Sequence, residues 1–374
     1  MKRSFVREIL EIIGSDTISF AGGLPDEILF PAEDISSITQ KILSAPEALQ
    51  YSFSAGIAPL REKLASYYTS LGLQTDPKNI LITTGAQQAL DIISRVYFKE
   101  GAVVEAPAYL GALNVFNSNE CPLYPIELAD DGVDIENFEK IFSKIGRAYL
   151  MCDFQNPTGK CYSIDKRERL AESAIRNNGI IVEDGAYMEL FFEKRLPMLT
   201  SFAPLNSLHI GSFSKTLAPG LRLGWIRGKE KLLKPLLALK ERTDLHTSTL
   251  SQMIADEFFS RGLFDTHLPK IRAVYKYKCD YLAQELGRLI PNFKFKKPDG
   301  GMFIYGSFQG GIDAYELARK CLNDGAVFVP GGEFYTDVSI NSEARFNFTH
   351  PTLDEIKTGI DMISAVYYAL IEEM

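Results

Sequence analysis

At 374 residues the chain exceeds what one hydrophobic core usually supports, so two domains, or one large and one smaller, are expected. With 46% hydrophobic and 24% charged residues and no low-complexity tract, it has ample material for a packed core and does not read as disordered. A formal net charge of −8 without a basic stripe argues against a nucleic-acid surface, and no run approaches the roughly 18 apolar residues of a membrane helix.

Residues 1 to 20 carry Glu8, Glu11 and Asp16 and no long apolar stretch, so they do not read as a secretory leader. Short β-rich runs at Asn79–Thr83, Ala102–Glu105, Ala148–Asp153, Gly179–Glu183 and Ser207–Gly211 alternate with helical patterns such as Ala86, Leu90, Ile93 and Tyr97. That rhythm predicts an α/β fold: a mostly parallel sheet with helices on both faces. Leu223–Arg227 follows the fifth run by only about a dozen residues, with Pro219 and Gly220 between, too short for a helical crossover. It is expected to run antiparallel and make the sheet mixed. From Leu263 a long amphipathic stretch (Leu268, Ile271, Val274, Tyr275, Cys279, Leu282) precedes short strands near Phe293–Phe295, Met302–Tyr305 and Arg345–Phe348, the mark of a smaller α+β domain. The expected division is an N-terminal arm joining the small domain over 1–45, a large domain over 46–262, and the small domain over 263–374.

The five cysteines (121, 152, 161, 279 and 321) are odd in number, without CxxC spacing or a nearby His pair, so neither zinc nor any other metal site is expected. They read as reduced thiols, which makes a cytoplasmic protein the expectation.

The unusual polar residues fall just after the carboxyl ends of the predicted strands, where open α/β sheets bind ligands. After the first comes Thr84-Gly85-Ala86-Gln87-Gln88, opening a helix whose free amides suit a phosphate; the plainer reading is a strand-to-helix turn capped by Thr84. Tyr109 follows the second and could stack on a planar ring or simply pack. Gln155-Asn156-Pro157-Thr158-Gly159 follows the third, a turn that leaves the Asn156 amide free to donate. Asp184 and Tyr187 follow the fourth. Ser212, Ser214 and Lys215 follow the fifth, with Arg222 seven residues beyond the lysine.

Singly, a lysine here is a solvated charge and the aspartate a helix cap. As a set, one lysine, one strand-end acid, one arginine, an anion-binding helix start, a donating amide and an aromatic supply what pyridoxal 5'-phosphate (PLP) requires. PLP needs a lysine for its Schiff base, an acid to keep the ring nitrogen protonated, and donors for its phosphate. A nicotinamide enzyme would instead show GxGxxG after the first strand, and none is present.

At these positions the chain resembles the fold type I PLP enzymes, the class I and II aminotransferases and, within them, the 2-aminoadipate aminotransferase-like group. The match runs over nearly the whole chain, through Ser4–Leu10, Ser19–Pro25, Leu49–Ser52, Thr84–Gln88, Gln155–Gly159, Ser212–Lys215, Gly220–Arg222 and Arg345–Phe348. The resemblance implies that Lys215 is the Schiff-base lysine and the proton carrier, that Asp184 holds the pyridinium, and that Asn156 and Tyr187 donate to the ring 3′-oxygen. It implies Tyr109 stacking on the ring, Gly85, Ala86, Gln87, Ser212, Ser214 and Arg222 at the phosphate, and Tyr51 reaching the phosphate of a partner in a homodimer with shared sites. Arg345 would clamp the substrate α-carboxylate, a bidentate task suited to arginine, with Gly23 and Asn156 bordering the same pocket and Arg7 meeting a side-chain carboxylate. Gly185 departs from relatives that carry a second acid or a proline after the aspartate.

The implied reaction is transfer of an amino group between an amino acid of 2-aminoadipate, aromatic or branched-chain type and a 2-oxo acid such as 2-oxoglutarate. A C–S or other β-lyase would use the same lysine, acid and arginine. A PLP-binding regulatory module is a remoter alternative, because such modules follow a winged helix and this chain begins just before Ser4.

Overall fold

A computed structural model describes residue 14 and residues 16–336 and 341–373. The first strand, β1 (Ile18–Ser19), stands apart from the large sheet. That sheet is built from β2 (Ile80–Thr83), β3 (Ala102–Ala106), β4 (Leu123–Ala129), β5 (Gly132–Val133), β6 (Arg147–Leu150), β7 (Ile180–Asp184), β8 (Ser207–Ser212) and β9 (Gly224–Gly228). Their spatial order is β2-β9-β8-β7-β6-β3-β4-β5. β8, β7, β6, β3 and β4 run parallel, and β9 runs antiparallel to both β2 and β8. The short Pro219–Gly220 connection therefore turns the chain straight back, as its length requires, and the carboxyl ends of β2, β3, β6, β7 and β8 all open on one edge.

Edge strand β2 reads Ile-Leu-Ile-Thr and central strands β7 and β8 read Ile-Ile-Val-Glu-Asp and Ser-Leu-His-Ile-Gly-Ser, all without alternation, because helices cover both faces and every residue in them is buried. Gly85–Tyr97 forms the helix after β2, and its buried stripe of Ala89, Leu90, Ile92 and Ile93 faces the sheet. The sequence did not announce β4. Pro125 interrupts its apolar pattern, and a proline is tolerated there because β5 pairs only with Leu128 and Ala129, leaving that stretch of the outer edge free.

The second sheet is antiparallel, with order β10 (Phe293–Phe295), β11 (Phe303–Phe308), β14 (Glu343–Asn347) and β13 (Val329–Pro330). β1 pairs with β12 (Ala326–Val327), and Asn347 N donates to Phe20 O at 2.8 Å, so the N-terminal segment is stitched to this sheet. Phe293, Phe308, Phe328 and Phe346 stack between the sheet and the helices Leu263–Leu289 and Leu353–Glu373. Among the described residues no helix is long and apolar enough to cross a membrane.

Candidate active site

A cavity of about 430 Å³ lies at the strand-end edge of the large sheet, closed on its far side by the second sheet and the Ala21–Leu24 segment. Ala86, Gln87, Tyr109, Asn156, Asp184, Tyr187, Ser212, Ser214, Lys215, Arg222, Arg345 and Gly23 all line it. Those from Ala86 to Arg222 meet because parallel strands deliver their following loops to one edge, while Arg345 and Gly23 are brought to the same cavity by the second sheet and the N-terminal segment stitched to it.

Helix Gly85–Tyr97 opens towards the cavity. Thr84 does not cap it: the Thr84 hydroxyl donates to Asp244 Oδ2 at 2.9 Å, while Thr84 N donates to Gln88 Oε1 at 2.8 Å. The plainer expectation of an ordinary Thr84 cap is therefore not met, and the first amides of the helix stay available to an anion. Gly85 has φ +78°, and a Cβ there would come 2.7 Å from Arg222 Nη2, so only glycine lets the guanidinium sit against the helix start. Arg222 itself adopts a left-handed backbone (φ 50°, ψ 50°), a conformation costing a non-glycine residue about 1 kcal/mol or more, which aims its side chain into the cavity mouth.

Asp184 is 2% exposed at the end of β7. Tyr149 Oη donates to its Oδ2 at 2.8 Å and Ala186 N to its Oδ1 at 3.0 Å. Burial raises its pKa to about 6, against the pull of these two donors. A carboxylate so desolvated, with no cation paired to it among the described residues, fits a protonated ring nitrogen. On the next loop Lys215 Nζ donates to Gly23 O at 2.6 Å, and its pKa falls to about 8 through burial first and then the nearby Arg345 and Arg222. An amine so poised is a nucleophile near neutrality.

Asn156 joins the two sheets: its Nδ2 donates to Tyr187 Oη at 3.3 Å, and its Oδ1 accepts from Arg345 Nη1 at 2.8 Å. Arg345 also donates from Nη2 to Ala21 O at 2.5 Å and lies between the Phe303 and Phe334 rings, 4.1 and 4.8 Å from their centroids. Its Nε is buried without a hydrogen-bond partner. Burial lowers its pKa to about 10, still fully cationic at neutral pH.

One predicted residue is elsewhere. Tyr51 is 78% exposed and packs its ring edge-on against His246, 5.7 Å between centroids, outside the cavity. Arg7 lies outside the described residues. Gly185 has a local cause: a side chain there would overlap the His209 imidazole. Trp225 Nε1 donates to Tyr68 Oη at 2.8 Å, which lies 2.7 Å from His209 Nδ1, and burial holds His209 neutral by lowering its pKa to about 3.

Sequence reasoning missed Tyr149, which reads as a packed strand residue, and Phe334, which carries no motif. It also assigned no part to Asn347, although that residue falls within the Arg345–Phe348 motif: its Nδ2 donates to Gly22 O at 2.6 Å, fixing the segment that carries Gly23.

The sequence pattern of aminotransferase class I and II matches residues 21–363. Aromatic-amino-acid aminotransferase 1 of Thermococcus litoralis is 37% identical over 97% of this chain and 91% of its own length. The 2-aminoadipate transaminase of Thermus thermophilus is 34% identical over 99% of this chain and 95% of its own. Among solved structures, the α-aminoadipate aminotransferase of that organism, complexed with N-(5'-phosphopyridoxyl)-L-leucine, superimposes with a TM-score of 0.92 at 33% identity, covering 100% of this chain and 96% of that one. With lysine, acid, amide and arginine gathered at one strand-end cavity and these likenesses along its length, the chain belongs to the class I and II aminotransferases, PLP enzymes of fold type I that transaminate amino acids.

Proposed function

We propose that this enzyme moves the amino group of a 2-aminoadipate, aromatic or branched-chain amino acid to a 2-oxo acid such as 2-oxoglutarate, working as a cytoplasmic homodimer. The observation that carries the reading is Lys215, Asp184 and Arg345 facing one cavity without ion-pairing to each other or to any other described residue. The substrate range is supported by the relatives, one named for aromatic amino acids and one named for aminoadipate whose structure carries a leucine adduct.

PLP, when bound, supplies an electron-accepting ring that stabilises negative charge at the substrate Cα. In this reading Lys215 anchors the cofactor and, once released, carries the proton to and from Cα. Asp184 keeps the ring nitrogen protonated, Asn156 and Tyr187 donate to the ring oxygen, and Tyr109 packs on the ring. The helix-start amides of Gly85, Ala86 and Gln87, with Ser212, Ser214 and Arg222, hold the phosphate. Arg345 grips the α-carboxylate, its guanidinium oriented in advance by Asn156 and Ala21, so the bond to be broken is presented to Lys215.

The dimer is supported by Leu49, Tyr51 and Phe53, neighbouring apolar residues that are each more than 70% exposed. The five free cysteines suit a reducing compartment. The division near residues 46 and 263 accompanies this reading, with the arm tied to the small sheet through β1.

Incubating the purified protein and PLP with a panel of amino donors and 2-oxoglutarate tests the reading. Glutamate is the expected product; pyruvate with ammonia from a β-substituted donor, and no glutamate from any donor, would establish the lyase instead.

A further inference from the structure

Asp184 is held by a residue that never reaches the cavity. Tyr149 lies on β6 opposite Val182, two residues before Asp184 on the same face of the sheet, and is 0% exposed. Its hydroxyl donates to Asp184 Oδ2 at 2.8 Å, while the Phe116 ring packs edge-on against its own, 5.3 Å between centroids at 78°. The other buried carboxylate nearby, Glu105, is supplied separately by Tyr162 Oη, Gln155 Nε2 and Met151 N. Tyr149 is therefore committed to Asp184. With Ala186 N on Oδ1 and Tyr149 on Oδ2, each oxygen has one fixed donor, so the plane of the carboxylate and its free lone pairs are set before any ligand arrives.

We propose that Tyr149 is a positioning residue of this aminotransferase, acting through Asp184: it orients the carboxylate and lowers its proton affinity, so that the proton shared with the cofactor stays on the ring. The proposal rests on the role given above to Asp184. Burial and the adjoining Asp184 hold the Tyr149 hydroxyl well above its ordinary pKa, so it remains a donor throughout the working range. Without that donor the carboxylate competes better for the shared proton. The ring then loses positive charge and stabilises the Cα carbanion less well.

The test is Tyr149→Phe, which keeps the ring and the Phe116 contact and removes only the donor. Losing a hydrogen bond to a charged group should lower kcat about tenfold with KM changed less than about twofold. The pH titration of the visible band of the lysine-bound cofactor should shift upward, a readout that a merely structural tyrosine would not move. In an Asp184→Asn background the same change should cost nothing further in the rate of a single half-reaction; losses that multiply, or an unshifted titration, would overturn the proposal. If Tyr149→Phe does not fold, 3-fluorotyrosine placed at 149 is a stronger donor of nearly equal size and should shift the titration the opposite way; no shift would again overturn it. Failure of the parent enzyme to show the lysine-bound band or any transamination would instead fault the reading of Lys215 and Asp184, whatever Tyr149 does.

Discussion

Two groups of charged side chains flank the ends of β7 and β8, and they are built on opposite principles. Behind the sheet, beside a second cavity of about 310 Å³, Glu189 accepts from Tyr67, Arg195 and Arg272, and the Arg272 guanidinium lies 3.7 Å from the Phe191 ring centroid. In front, Asp184, Lys215, Arg222 and Arg345 line a cavity of similar size and make no ion pair with any described residue. Charges that neutralise one another hold elements together. Charges kept apart in a desolvated space retain their interaction energy for a ligand, and the shifted pKa values of Asp184, Lys215 and Arg345 record the cost of keeping them.

Substitution separates the two groups. Lys215→Ala should abolish transamination, by more than about 10³-fold, while the protein stays folded, since in the proposed reading it removes both anchor and proton carrier. Asp184→Asn should cost nearly as much in rate yet stabilise the cofactor-free protein above pH 6. The sign follows from the raised pKa: from the ordinary 3.8 up to about 6 the folded state holds its proton more tightly than the unfolded chain. The contribution is full below 3.8 and lost as pH rises through 6, so apo-protein melting should fall across that window in the parent and not in the variant. Arg345→Lys should raise KM for every amino donor by about a hundredfold, measured in steady state, because a point charge cannot replace a bidentate fork.

Glu189→Gln should reverse the pattern. Stability should fall by about 2–4 kcal/mol in denaturant unfolding, as two arginines lose a shared partner, while kcat/KM of the folded fraction holds. An equal loss of activity would erase the distinction between the two groups. The smallest effect concerns pH alone. Capture of PLP by the cofactor-free protein should speed up as pH rises through about 8, where Lys215 loses its proton. Arg222→Ala should move that midpoint upward by removing one of the cations that depress it.

Strand-end placement made most of the front group legible in the amino-acid sequence, because parallel strands put the residue after each carboxyl end at one edge, and such residues are polar for a reason. Arg345 is different. It sits inside a strand of the second sheet, and only the family resemblance pointed to it. The bonds to Asn156 and Ala21 that aim it come from segments 189 and 324 residues away. Tyr149 was invisible because a tyrosine in a buried strand has the same local signature whether its hydroxyl meets water, backbone or a catalytic carboxylate.

The sequence by itself determined the alternation of strands and helices, the antiparallel return at Pro219–Gly220, and the placement of Lys215 and Asp184 at strand ends. These are encoded within a few residues, by period, turn chemistry and strand ends. The tertiary structure decided which charges are left unpaired, which donor Asp184 receives on each oxygen, that Thr84 turns to Asp244 instead of capping its helix, and that His209 fills the space a side chain at 185 would need. Most of those outcomes depend on groups brought together from separate elements, 35 residues apart for Tyr149 and Asp184 and 160 for Thr84 and Asp244, where burial and the competition for hydrogen-bond partners, and not local propensity, set the result.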